Sequence, residues 1–511
     1  MNLLLVCVVL ILWYTLFRYK RRRLYELAAC IPEPPMKIPF IGALQYNFTY
    51  NDIPTSILNI IKIYSRFAVN NGGIVKFWCG PLFFVGITDP GDMEFILKYC
   101  LEKSDIVKIF RTVVGSAGIF APVSIWTRRR KMVVPAFSPK IINSYMDILI
   151  NQSEELAKNF ALEQRVGTGT FKVWPYISAH NLKSVCETAL GIKEHCLGNN
   201  NNNSPFINAT SNLLDLVTKR VFRPWLWTEC VYRCTKEYSE FKKSTDFAYN
   251  FTDKIIEKKR KELENFEEFQ STSNETSTLN GQNFGKVRCF LENMILLSSK
   301  DDRITDIELR EEVLTFLMAG TDTSAVSVCN TLKLLAKYPK VQEKVYAEIM
   351  EVLGEKNRVV KKDDLQNLNY LKRVIKESLR LFPPVPLVIR KINEETKLPS
   401  GTTLPAGTNV IATIWGANRD PKYWGKDVDC FDPDRFLPGR KTGFFVPFSY
   451  GSRNCIGYQF AMLTIQLTLT AILRRYKVTA EEESGPVPHM DCSYSIMMRA
   501  KDDYEICLEM R

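Results

Sequence analysis

A thiolate held at the start of a helix can bind a metal, and one segment of the chain is built to present one. In FSYGSRNCIG, residues 448–457, Cys455 lies in a glycine-flanked turn, and the apolar pattern from Phe460 onward starts a helix. Backbone N–H groups and the helix dipole there favour negative charge on sulfur. Gly451 and Gly457 permit a tight backbone that a flat macrocycle can approach closely. Arg453, two residues before the cysteine, can reach an anionic group on such a cofactor. Alone, Cys455 would read as one more buried cysteine at a helix start; the spacing of the whole segment favours a ligand.

Other groups carry chemistry too. In AGTDTS, residues 319–324, Gly320 weakens a helix and Thr323 competes for backbone acceptors, so a local opening is expected. Asp322 and Thr323 would then supply a carboxylate and hydroxyl relay for protons. A capping or turn motif is the plainer alternative, but apolar helical sequence continues on both sides. Glu377 and Arg380 share a face at i, i+3; a surface salt bridge is the ordinary meaning of that spacing alone. Trp126 and Arg130 stand one helical turn apart in WTRRRK, where Arg128, Arg129 and Lys131 form a basic face suited to an acidic protein partner.

These residues need a scaffold. Thr305 and Glu308 fit a capping box, and nearly continuous apolar residues from Val313 to Leu335 predict one buried central helix over 305–337. Leu365, Leu368, Leu371, Ile375, Leu379 and Phe382 predict a helix over 363–382 that Pro383–Pro384 ends. Residues 73–89 predict a hairpin turning at Gly80–Pro81, and 90–265 reads as mostly helical. The asparagine-rich stretch 199–203 and residues 270–285 read as exposed loops. RPWLW, 223–227, reads either as core or as a patch dipping into a membrane. The fold class is mainly α with small β-sheets.

The apolar run Leu3–Phe17 would form a helix about 22 Å long. The basic cluster Arg18 to Arg23 follows it, which favours a retained anchor with a cytosolic body over a cleaved signal. Residues 1–23 are therefore read as a transmembrane anchor with its basic stop. Residues 24–42, with Pro32, Pro34, Pro35 and Pro39, are read as a stiff hinge, and 43–511 as the catalytic domain. The net charge of +12 comes without a long basic arm, which speaks against nucleic acid. Fourteen cysteines are scattered without a repeated CxxC, so they read as reduced. His180, His195 and His489 show no ligand spacing, which disfavours zinc or non-haem iron.

Together, Phe448, Gly451, Arg453, Cys455 and Gly457 resemble the haem-binding loop of the cytochromes P-450. The resemblance implies the P-450 fold, with a long central helix over the haem and Cys455 as the axial ligand of iron in haem b. Electron donation from such a thiolate to the O–O bond is a property of that family at large. Glu377, Arg380 and Arg435 resemble the family's buried Glu–Arg–Arg cluster, which would hold the cysteine loop. Trp126 and Arg130 resemble its WxxxR pair that binds a haem propionate, and Arg390 matches another propionate ligand. The segments 135–137, 311–316 and RPWL look most like the microsomal branch called family 4, which includes fatty-acid ω-hydroxylases and many insect enzymes. Ala319 stands where many of that branch carry a glutamate able to form an ester with haem, so non-covalent haem is expected. Thr321, Arg129 and Asn418 each replace a common histidine, which weakens any transfer of ω-hydroxylation.

The resemblance implies a monooxygenase that inserts one oxygen atom from O2 into a lipophilic substrate, whether fatty acid, hormone, pheromone or xenobiotic. Electrons would come from NADPH through a cytochrome reductase, with cytochrome b5 as a second donor, at the endoplasmic reticulum membrane. Met318, Ala319, Leu387, Val388 and Ile389 are expected to line the substrate pocket. The alternatives are a non-catalytic haem-binding membrane protein and a haem-thiolate isomerase or dehydratase; the Asp322–Thr323 pair counts against both.

Overall fold

The computed structural model describes residues 2–35, 52–80, 82–163, 165–192, 204–273, 288–301, 304–355, 358–440, 442–480 and 485–511. The expected hinge beyond residue 35, Pro81, the asparagine stretch 199–203 and residues 274–285 of the expected loop lie outside the described residues.

The chain starts with α1 (Asn2–Lys20), and a single turn residue, Arg21, leads into α2 (Arg22–Ala29). Residues 24–29, expected within an extended hinge, are thus helical, because RRLYELAA combines good helix formers with one apolar face. That face docks on the body. Tyr25 stacks on Trp78 at 5.4 Å, Lys76 Nζ donates to the Ala28 carbonyl at 2.7 Å, and Arg23 forms a two-pronged pair with Glu395. Among the described residues no helix is long and apolar enough to cross a membrane.

Next come α3 (Ile53–Asn70) and the hairpin of β1 (Ile74–Cys79) and β2 (Leu82–Ile87), where expected. The helical half follows, with α4 (Val123–Val133), α5 (Trp174–Thr188), α6 (Pro205–Val221) and the central α7 (Asp306–Lys337). The capping box that starts α7 is present: Thr305 N–H donates to Glu308 Oε2 at 3.0 Å and Glu308 N–H to Thr305 Oγ1 at 3.2 Å. Where one helix was expected over 363–382, a short helix Lys362–Asn367 breaks at Leu368 before α8 (Asn369–Leu381). The break has a partner: the Glu348 carboxylate accepts from the N–H groups of Tyr370 and Leu371, so the second helix starts on a capped end.

β3 (Leu387–Lys391) and β4 (Asn409–Thr413) complete a four-stranded sheet in the order β1-β2-β4-β3. β2 and β4 run parallel, with Phe84 opposite Asn409, whereas β3 and β4 are antiparallel, with Ile389 opposite Ile411. Because side chains alternate across a strand, the sheet has two different faces. Val85, Ile87, Val388, Val410 and Ala412 pack into one apolar core, while Phe84, Gly86, Leu387, Ile389 and Ile411 face a cavity under α3 and α6. After α9 (Tyr458–Leu473), a hairpin of β5 (Cys492–Ser495) and β6 (Met497–Ala500) packs beside α3 and α7. The observed architecture is mainly helical with small sheets.

Candidate active site

The segment before α9 wraps into a tight loop that presents Cys455. Cys455 N–H donates to the Phe448 carbonyl at 2.8 Å, and Asn454 N–H to Gly451 O at 3.1 Å. Gly451 has φ +75, and a Cβ there would lie 2.5 Å from the Leu97 carbonyl oxygen, so this position demands glycine. Gly457 does not: its φ is −92, and a Cβ would meet only Phe137 at 3.5 Å. Its contribution is the N–H, which points toward the Cys455 sulfur and favours thiolate. No side chain caps α9, so its first N–H groups remain free to act on that charge.

Burial nonetheless pushes the Cys455 thiol up, against Gly457 N–H and the Arg130 charge. The same side chain keeps accessible surface. Dense surroundings together with open surface mark a group at the floor of a recess, not one on the outer face. On α7, Phe316, Ala319, Gly320 and Thr323 keep accessible surface while most of their neighbours are buried. These positions recur at helical spacing and share one face.

Around this recess stands a set of cations, of which Arg390 and Arg453 are buried. Arg390 is 1% exposed, its Nη1 donates to its own neighbour's carbonyl at Ile389, and its Nε has no partner among the described residues. Arg453 donates Nη2 to the Ala121 carbonyl at 2.8 Å and lies 4.5 Å from the Trp126 ring, yet its Nε and Nη1 have no partner among the described residues. Burial lowers both guanidinium pKa values to about 10, with Arg390 repelling Arg453. Arg130 is spent locally, donating to Asn454 O at 2.7 Å and Oδ1 at 2.8 Å, which ties α4 to the cysteine loop. Lys103, pressed down by burial and then by Arg390 and Arg453, and Arg111, which also acts on Arg453, complete the set. Neither was anticipated, since they lie in a segment without periodic pattern.

Buried guanidinium nitrogens without acceptors are costly and call for anions. A flat cofactor carrying two carboxylates, with a metal over Cys455, meets that need, and Arg is the side chain suited to hold carboxylates. The residues present therefore fit a haem.

The Glu–Arg–Arg cluster forms. Arg380 donates Nε and Nη2 to Glu377 at 2.7 and 2.8 Å, with both side chains fully buried, and Arg435 Nε lies 3.5 Å from Glu377. Arg380 also donates to the carbonyls of Asn418, Val428 and Cys430, and Arg435 to that of Trp424. The direct grip is thus on residues 418–430. The cysteine loop is reached at second hand, through Gly443, where a Cβ would strike the Trp424 indole at 2.3 Å.

Several expectations need correction. The central helix does not open at AGTDTS: α7 is unbroken from Asp306 to Lys337, and the Thr323 hydroxyl donates to Ala319 O at 2.8 Å. Gly320 is there for packing, since a Cβ would lie 3.1 Å from Val185 of α5. Arg129 is not a docking cation: it is 2% exposed and donates to Glu308, Glu311, Glu312 and the Ser116 carbonyl. Arg128 is likewise paired with Glu308, and Lys131 stays exposed. Of the expected pocket residues, Leu387 and Ile389 line the cavity; Val388 points to the opposite face of the sheet by strand alternation, and Met318 and Ala319 are not in that lining. In RPWLW the two readings divide by residue: Leu226 is buried and Trp225 is 60% exposed.

Asp322 is 3% exposed on α7, and burial raises its carboxyl pKa to about 7 against the pull of Arg499. Arg499, on β6, lies 4.5 Å from the Trp174 ring and pairs with Asp503 at the surface. Sequence reasoning missed it, because nothing in the chain near Asp322 announces a partner on a distant hairpin.

A family model described as "Cytochrome P450" matches residues 32–508. The chain is 33% identical over 419 residues to "Cytochrome P450 4V2" of Homo sapiens, covering 80% of this chain and 78% of that protein. It is 29% identical over 512 residues to "Cytochrome P450 4c3" of Drosophila melanogaster, covering 98% and 93%. To "Cytochrome P450 4d2" of the same fly it is 31% identical over 488 residues, covering 93% of each.

Proposed function

The chain belongs to the cytochrome P450 family, its cofactor is non-covalent haem b, and on that premise we propose that Cys455 ligates the iron in a monooxygenase of lipophilic substrates. Haem held by a thiolate supplies activation of dioxygen and transfer of one oxygen atom to a C–H bond. The observation that carries the assignment is the unpartnered nitrogens of Arg390 and Arg453 beside a recess floored by Cys455.

In this reading Arg390 and Arg453 bind and orient the cofactor carboxylates, Lys103 lies beside them, Arg130 braces the cysteine loop through Asn454, and Trp126 sets the plane of Arg453. Gly457 N–H and the Arg130 charge hold negative charge at sulfur. Phe448 and Gly451 shape the loop. Asp322 carries an exchangeable proton near neutral pH, and the Thr323 hydroxyl, by rotating off Ala319 O, passes it toward the recess. Ala319 offers no carboxylate for an ester to the cofactor. The apolar cavity wall at Leu387 and Ile389 excludes water and admits a lipophile.

Electrons come from NADPH through a flavoprotein cytochrome reductase, with cytochrome b5 as a second donor. Attachment to the endoplasmic reticulum membrane through α1 is supported by its exposed apolar side chains, among them Leu5, Val9, Ile11, Leu12, Trp13 and Leu16, and by the arginines that follow. Reduced protein under carbon monoxide tests the ligand: a red-shifted, thiolate-type Soret band is expected, and Cys455→Ala loses it. Persistence of that band in the variant would refute the assignment, as would a wild-type protein that takes up no haem.

A further inference from the structure

Glu102 is half-buried between the end of β3 and the start of α4, and it bonds to both. Lys391 N–H, the last of β3, donates to the Glu102 carbonyl at 2.9 Å. Val123 N–H, the first of α4, donates to Glu102 Oε2 at 3.1 Å. The first N–H groups of a helix have no partner inside it, and the residue before this one, Pro122, supplies no side-chain bond. Glu102 therefore caps α4 from a distant segment, with the charge that the positive end of a helix dipole favours. The β3 side is fastened a second time two residues on. Ser104 Oγ donates to Asn409 Oδ1 at 2.6 Å, and Asn409 pairs with Lys391 across the sheet.

Each of the two Glu102 bonds lies next to a cation of the recess. On β3, Arg390 directly precedes Lys391. On the other side, the Ala121 carbonyl that accepts from Arg453 is joined to Val123 through Pro122 alone. The proline ring fixes φ there, at −63, so little torsional freedom separates the held N–H from that carbonyl. α4 also carries Trp126, whose ring lies 4.5 Å from the Arg453 guanidinium. One backbone carbonyl and one carboxylate of a single residue thus join the two segments that hold Arg390 and Arg453. The charge of Glu102 acts on the set as well: burial and then Arg390 lower the Arg453 pKa, and Glu102 pulls it back up.

We propose that Glu102 is a positioning residue that sets the spacing of Arg390 and Arg453, and so fits the pair to the two carboxylates of the cofactor. It acts through the arginines and not on the reacting atoms. The proposal rests on the haem reading above and adds to it the residue that tunes how the cofactor is gripped.

The test follows transfer of ferric haem from the holoprotein to excess apomyoglobin. It is run with protein loaded with haem and, separately, with haem dimethyl ester, whose carboxyl groups carry no charge. Glu102→Ala releases haem about tenfold faster than wild type, the scale of a lost helix cap made by a charged group. Release of the dimethyl ester is unchanged, because the arginines have no carboxylate to hold in it. Glu102→Gln keeps an acceptor for Val123 N–H and restores most of the retention. Val123→Pro removes the N–H at a helical position that tolerates proline, after a residue whose ψ of 160 suits it. It speeds haem release as Glu102→Ala does, and carries the test should that variant fold poorly. Equal acceleration of both cofactors overturns the proposal, since that is general loosening. So does a Glu102→Gln protein that loses haem as fast as Glu102→Ala, or a Glu102→Ala protein that holds haem as wild type does. The carbon monoxide spectrum of the wild-type samples separates the two readings. With a thiolate-type band present, these outcomes sink only the role of Glu102, whereas absence of the band sinks the haem-thiolate reading itself.

Discussion

Burial lifts the Asp322 carboxyl from its ordinary 3.8 to about 7, and the Arg499 guanidinium opposes the lift. The folded protein therefore holds that proton more tightly than the unfolded chain does. Between about pH 4 and pH 7 the folded form binds the extra proton, so stability falls as pH rises through that window and levels above it. Asp322→Asn is expected to flatten that slope in melting temperature against pH. It should also slow turnover on the order of a hundredfold, as loss of a proton-transfer group does. Arg499→Gln removes the opposing charge, so the Asp322 pKa moves further up and the corresponding limb of the pH–rate profile moves to higher pH, with the haem spectrum unchanged. An unmoved limb would show that Arg499 does not act on Asp322. The cations around the recess form the complementary case: Arg390 and Arg453 are buried beyond what their protein partners satisfy, which fits a carboxylate-bearing cofactor.

Elements hold these residues by different devices. The loop before α9 depends on one left-handed glycine. Gly451→Ala combines positive φ with a backbone collision at Leu97, a strain of roughly 1–3 kcal/mol, and should release haem on mild denaturant titration. Gly457→Ala, at ordinary φ and with free space, should keep both the denaturant midpoint and the Soret band within error. The α8 cluster works through desolvated charge. Glu377→Gln leaves Arg380 fully buried without its counter-ion, a loss of about 3–5 kcal/mol by the usual behaviour of broken buried pairs, read as a lower denaturant midpoint of the holoprotein. α7 is held at its N-terminal half by Arg129 and its glutamates, and at Gly320 by close approach of α5.

At the scale of the molecule, α1 stands apart from the body with its apolar side chains exposed, while α2 is docked through Tyr25, Arg23 and the Ala28 carbonyl. The docked α2 stands where residues 24–29 of the hinge were expected, whereas residues 36–42 of that hinge lie outside the described residues. Removing residues 2–20 should abolish flotation with phospholipid vesicles and leave the carbon monoxide spectrum intact. Flotation that survives the truncation would move the membrane contact elsewhere, with exposed Trp225 the next place to probe.

Some of this was written locally in the chain. The cysteine loop, the capping box and the Glu377–Arg380 pair each depend on residues a few positions apart, where backbone geometry and helical spacing act directly, so their order along the sequence determined the family and its cofactor. Even Val388 could have been separated from Leu387 and Ile389 by strand alternation alone. The rest was decided by packing over long distances. Arg129 became an internal clamp because α4 crosses α7, and Arg499 reached Asp322 because β6 lies beside that helix. Burial, and with it the ionisation and hydrogen bonding of those groups, belongs to the assembled fold, because it depends on which surfaces lose water together.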